Sequence, residues 1–110
     1  KKNEDLTRRF MAATTKAILA AEKDPDGAVQ AILKALPKAG QPGTLKEGFE
    51  LTIPLYRTAE TKNLPPFHVT DQNMIDSVNL LVEYGGLEAS AKNDVKSFYS
   101  RDYLPKAAGG

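Results

Sequence analysis

His68 is the one histidine among 110 residues, and cysteine is absent. Neither a Cys-His nucleophile pair, nor a thiolate metal site, nor a multi-histidine metal site can be assembled from that inventory. A serine triad would have to use His68 as its base, and no GxSxG turn presents a nucleophile. Gly85-Gly86 follows an apolar-periodic stretch, whereas the glycines of phosphate cradles precede a helix start, and neither GxGxxG nor a P-loop occurs. The residue types therefore predict no catalytic residue, no metal ligand and no cofactor, and so no enzyme. His68, in the segment Pro65-Pro66-Phe67-His68, is left as the ligand-binding candidate, against its ordinary reading as a polar surface group. Tyr56, Tyr84, Tyr99 and Tyr103 could line a pocket, although aromatic residues at such spacings read first as packing material with their hydroxyls at the edge.

Charge narrows the partners. The net charge of +1 hides an uneven distribution: six bases and three acids in residues 1–23, five of each in 24–69, no base and four acids in 70–90, and four bases and two acids from Ala91 onward. A surface that tracks phosphates needs clustered Lys and Arg, and here most bases are offset by acids, so nucleic acid is not expected as a partner. Arg8, Arg9 and Lys16 form a basic face whose functional reading is an anion or protein contact and whose ordinary reading is a solvated helix surface. No apolar run approaches the roughly 20 residues that a bilayer needs, and the chain opens on polar residues without a secretory signal.

These residues must be positioned by helices. Val69 to Leu87 carries the strongest local signal: Thr70 is suited to cap, Asp71 suits the positive end of the helix dipole, and Met74, Ile75, Val78, Leu81 and Val82 make one apolar stripe. Gly85 is expected to take the left-handed conformation that ends the helix. Upstream, Asn3 is suited to cap a long helix in which Leu6, Phe10, Ala13, Ala17 and Ala20 recur every three or four residues. Asp24-Pro25 ends it and starts another, whose stripe is Ala28, Val29, Ile32, Leu33 and Leu36, with Pro37 as the stop. Thr44 and Glu47 fit a capping box for a third helix. Phe49, Leu51, Ile53 and Leu55 also alternate as an edge strand would, but Phe49, Ile53 and Tyr56 share a helical face, and a helix kinked at Pro54 is expected. Leu64-Pro65-Pro66-Phe67 reads as an extended surface connection and Glu88 to Asn93 as a polar link. The predicted fold class is all-α, one region of four amphipathic helices plus a short C-terminal helix, spanning about 4–23, 25–36, 45–60, 71–84 and 94–100, with a frayed tail from Lys106.

The order of these motifs resembles a known family. RRFMAATTKAILAAEKDPDGAVQAIL, then a proline-terminated helix, then VTDQNMIDSVNLLVEYGGL and FYSRDYLP, is similar to the C-terminal part of the solute-binding proteins that serve ABC importers of sulfonates, nitrate and thiamine-precursor pyrimidines. The likeness covers about residues 6–105 and rests on Phe10, Asp24-Pro25, Pro37, Leu81, Gly85-Gly86-Leu87 and Tyr103-Leu104-Pro105. It departs at Met74 or Ile75, where many relatives carry tryptophan. The resemblance implies a fragment of a two-lobed α/β periplasmic-binding-protein fold, in a periplasmic or lipid-anchored extracytoplasmic setting. The parent would capture a small-molecule solute and hand it to a membrane permease. Cleft residues of such proteins lie in the lobes, so beyond His68 no ligand contact is assigned to this chain. The helix stripes would then cover a body of protein outside these residues, and the isolated piece is expected to self-associate. The competing reading is an independent helical protein-interaction module that uses the acidic Asp71 to Glu88 helix or the basic Arg8 to Lys16 face.

Overall fold

A computed structural model describes residues 3–106, and among them every regular element is helical. Helix α1 runs Glu4–Lys23, α2 Pro25–Ala35, α3 Pro42–Thr52 and α4 Asp71–Tyr84. The expected frayed tail lies, beyond Lys106, outside the described residues.

The joint between α1 and α2 is a single residue. The Asp24 N–H donates to Ala20 O at the end of α1, and its carboxylate accepts from the Gly27 N–H at 2.9 Å to cap α2. Proline at the first position of α2 gives up an amide that would have had no helical partner. Glycine at 27 makes room for this cap, because a Cβ there would lie 2.2 Å from the Asp24 carboxylate and push it aside. At the start of α1 the expected Asn3 side-chain cap does not form; instead the Thr7 N–H and hydroxyl both donate to Asn3 O, at 2.9 and 3.0 Å.

The third helix differs from the expected 45–60. It begins at Pro42, behind an extended Gln41, so Thr44 and Glu47 lie inside it and form no capping box; proline's preset φ fits the first helical position better than threonine's cap fits two residues later. It ends at Thr52 and tightens into a 3-10 turn, Ile53–Tyr56, before Arg57 is extended. Pro54 supplies no N–H for an α-helical bond, which favours the tighter turn over a continued, kinked helix. The strand alternative for 49–56 is not adopted.

Thr58 to Phe67 is not the plain surface connection expected. The Thr58 N–H donates to the Thr61 hydroxyl at 2.8 Å and the Thr61 N–H to Thr58 O at 3.1 Å, closing a turn that leaves Thr61 only 1% exposed; Pro66 is buried as well. α4 then starts as expected. Thr70 accepts from the Asn73 N–H at 3.0 Å and the Asn73 side chain accepts from the Thr70 N–H at 3.3 Å, a reciprocal cap with asparagine in the place usually held by Glu or Gln. It ends one residue later than expected in its left-handed step: Gly85 has φ −101 and Gly86 has φ +74, while the Gly85 and Leu87 N–H groups both reach Leu81 O. The segment expected as a polar link is a 3-10 turn, Ala89–Asn93, and the expected helix 94–100 is a second one, Val95–Phe98; both pack on α4.

Packing is sparse. α1 packs on α2 and α2 on α3, and among the described residues Val29, Val78 and Pro66 are the apolar side chains buried most completely. The radius of gyration is 17.0 Å, where a compact domain of this length has about 13 Å. The accessible surface is 8394 Å², where a folded monomer of 12.0 kDa exposes about 6,000 Å². Leu6, Phe10, Leu36, Leu51, Leu55, Leu80, Leu81 and Tyr84 are among the large apolar side chains left at least half exposed. Among the described residues no helix is long and apolar enough to cross a membrane.

Candidate docking surface

Three polar joints hold the sparse helices in place. The deepest is a two-pronged ion pair: Arg57 Nη1 and Nη2 donate to the two Glu22 carboxylate oxygens at 2.6 and 3.1 Å, and Arg57 Nε donates to Leu64 O at 2.8 Å. Each side chain is about four-fifths covered, and the bond to Glu22 raises the guanidinium pKa further above its ordinary value. The end of α1 is thereby fixed to the loop that leads into α4.

A second joint surrounds that loop. The Thr58 hydroxyl donates to Glu60 at 2.6 Å and the Asn73 amide donates to Glu60 at 3.3 Å; these bonds, Thr58's first, hold the Glu60 carboxyl below its ordinary pKa.

The third is a hub at Asp71. Tyr99 Oη and Arg101 Nη2 each donate to Asp71 Oδ1 at 2.6 Å, and the Tyr99 bond is the main reason that this carboxyl titrates below, and the phenol above, its ordinary value. Arg101 also lies over the Tyr99 ring, 5.6 Å from its centre. Farther along the same C-terminal strap, residues 99–105, Arg8 of α1 donates to Asp102 O and stands 5.1 Å from the centre of the Tyr103 ring. The C-terminal strap is therefore pinned at one end to the start of α4 and at the other to α1.

With the frame fixed, the predicted site residues can be placed. His68 is half-buried, its Nε2 is closed off from solvent without a hydrogen-bond partner, and it follows Phe67, whose φ of +72 is unusual for a side-chain residue. It lines neither of the two clefts that border the α4 hub and α1. One cleft, of about 350 Å³, lies between Asp71, Ile75, Lys92, Val95, Lys96 and Tyr99 and is open at the surface. The other is an apolar trough of about 400 Å³ along α1, bordered by Ala12, Thr15, Lys16, Leu19, Lys23 and Pro105. The basic face is divided: Arg8 serves the strap, Arg9 pairs with Asp5 at 2.9 Å, and Lys16 stands beside the trough. Tyr84 is 76% exposed, and the four tyrosines are not brought together in one pocket.

The least expected arrangement is on α1. Leu6, Phe10, Ala13, Ala17 and Ala20, the stripe that the periodicity assigns to a core, are all exposed. The inward face is Met11, Thr15, Ile18, Leu19 and Glu22. The exposed stripe steps by four, three, four and three residues, the spacing of a helix seam that packs against another helix, and its three alanines allow an axis to approach closely. One flank carries Arg9, Lys16 and Lys23, each seven residues apart. On the trough beside them, the Thr15 hydroxyl is buried without a partner. Sequence reasoning missed the Glu22–Arg57 pair and the Asp71 hub, for which no local spacing exists, but the seven-residue recurrence of bases was there to be counted. Comparison of the chain with family models, with curated proteins and with solved structures returns no match.

Proposed function

We propose that this chain is a helical scaffold that works by being packed against other protein, and that the protein it serves is an extracytoplasmic solute-binding subunit of an importer. The single observation that carries the packing reading is the set of large apolar side chains left exposed on the helices, Leu6, Phe10, Leu36, Leu51, Leu55, Leu80 and Tyr84 among them, on a chain whose total surface is about 2,400 Å² larger than that of a closed monomer of this mass. A soluble domain rarely leaves so many large apolar side chains in water without a partner, so they call for a cover. The importer reading draws its support from the resemblance in motif order. In it the helices cover one lobe of a two-lobed protein, the solute is held by the lobes, and the whole delivers the solute to a permease. The two clefts beside the α4 hub and α1 are open at the surface and His68 lines neither of them, which fits that division of labour.

The test is direct. The coding sequence upstream of Lys1 should extend for roughly 200 further codons and open on a secretory signal. The whole encoded polypeptide should then show a thermal shift with a sulfonate, nitrate or a pyrimidine. A start codon immediately before Lys1 would overturn the importer reading and leave the second one, a self-standing helical interaction module. The basic-flanked, outward-facing seam of α1 favours that second reading.

A further inference from the structure

We propose that the outer face of α1 is the docking site for α4 of a second copy of this chain, the two helices running antiparallel. The inference rests on faces and charges alone and does not depend on the importer reading.

Both faces are open. On α4 the inward side is Met74, Val78 and Val82, and the outward side carries Ser77, Leu80 and Tyr84; Leu80 and Tyr84 are 60% and 76% exposed. These residues repeat the steps of three and four found on α1. Their flank is acidic, with Asp76 and Glu83 seven residues apart. Seven residues of helix rise about 10.5 Å, so two acids at that spacing match two bases at the same spacing.

One register satisfies shape and charge together. Ala13 faces Tyr84, Ala17 faces Leu80 and Ala20 faces Ser77, so that each large side chain of the α4 seam meets an alanine. In the same register Lys16 falls beside Glu83 and Lys23 beside Asp76. Antiparallel helices bring like flanks of their seams together, and here those flanks are of opposite sign. Arg9 is held by Asp5, whereas Lys16 and Lys23 have no ion pair among the described residues. The unpartnered Thr15 hydroxyl lies in the trough on that side. A stable interface of ordinary size buries about 800 Å² per partner, and the chain as a whole exposes about 2,400 Å² more than a closed monomer of its mass.

The charge pattern supplies a test with its own control. The 110-residue chain should dimerise in sedimentation velocity at micromolar concentration. Lys16→Glu with Lys23→Glu should weaken association at least tenfold, and Asp76→Lys with Glu83→Lys should do the same, while circular dichroism remains that of the parent. An equimolar mixture of the two double variants should associate again, because each mutated α1 then meets a mutated α4 of opposite sign, as should one chain that carries all four changes. A parent chain that stays monomeric at 100 µM overturns the proposal. So do double variants that associate like the parent, which would place the contact on another apolar face such as Leu51 and Leu55, and a mixture that fails to recover.

Discussion

Val78 and Leu80 are both apolar residues of α4, two positions apart, and they should respond to truncation in opposite ways. Val78 is 4% exposed and Leu80 is 60% exposed. Val78→Ala removes two buried carbons, about 1.6 kcal/mol at about 0.8 kcal/mol each, and leaves a small cavity, so about 2 kcal/mol of stability is expected to be lost. In a domain of roughly 100 residues that corresponds to a melting point lower by about 8–15 °C. Leu80→Ala removes atoms already in water and should change monomer stability by less than about 0.5 kcal/mol. Urea unfolding followed by circular dichroism measures both, at a protein concentration low enough that association does not contribute. Sedimentation at high concentration should reverse the order, with Leu80→Ala the variant that loses self-association. Equal destabilisation by the two substitutions, or an unchanged urea midpoint for Val78→Ala, would refute the assignment of inner and outer faces on which the docking argument stands.

Glu22→Gln leaves the Arg57 guanidinium without its counter-charge in a site about four-fifths covered, and should cost about 1–2 kcal/mol, the lower part of the range for bonds to charged groups because a fifth of each side chain still meets water; an unchanged urea midpoint would show that the pair does not brace α1. The Asp71 hub gives a pH dependence at both ends. Its folded carboxyl titrates below the ordinary value, so its contribution is present above about pH 4 and is lost as acid brings the pH down through the depressed value. The Tyr99 phenol titrates above its ordinary value, so that contribution is complete below about pH 10 and is lost as the pH rises through the raised value. Tyrosine absorbance and near-ultraviolet circular dichroism should report both steps, and Asp71→Asn should remove the acid step; an acid step that persists in the variant would assign strap release to other carboxylates.

The sequence by itself determined where most of the helices lie. Asp24-Pro25, Thr70 with Asp71, and Gly85-Gly86 act on backbone groups within a few residues, and a cap or a stop needs no distant partner to be effective. Local chemistry also fixed Val29 and Val78 on apolar stripes, and both are buried. Only the tertiary structure decided which stripe faces inward. On α1 the best periodic set, Leu6 to Ala20, is outside, because Glu22 is drawn in by Arg57, 35 residues away, and Arg8 by the strap around Asp102. On α4 the stripe is split, with Val78 inside and Leu81 half exposed. Thr61 is buried within an otherwise exposed polar turn: its hydroxyl and amide are satisfied inside the turn, so a polar residue that composition assigns to the surface can be covered without loss. Periodicity records that a helix has an apolar side. It carries no term for the long-range bonds that turn the helix about its axis, and those bonds leave α1 with a face that another helix can fill.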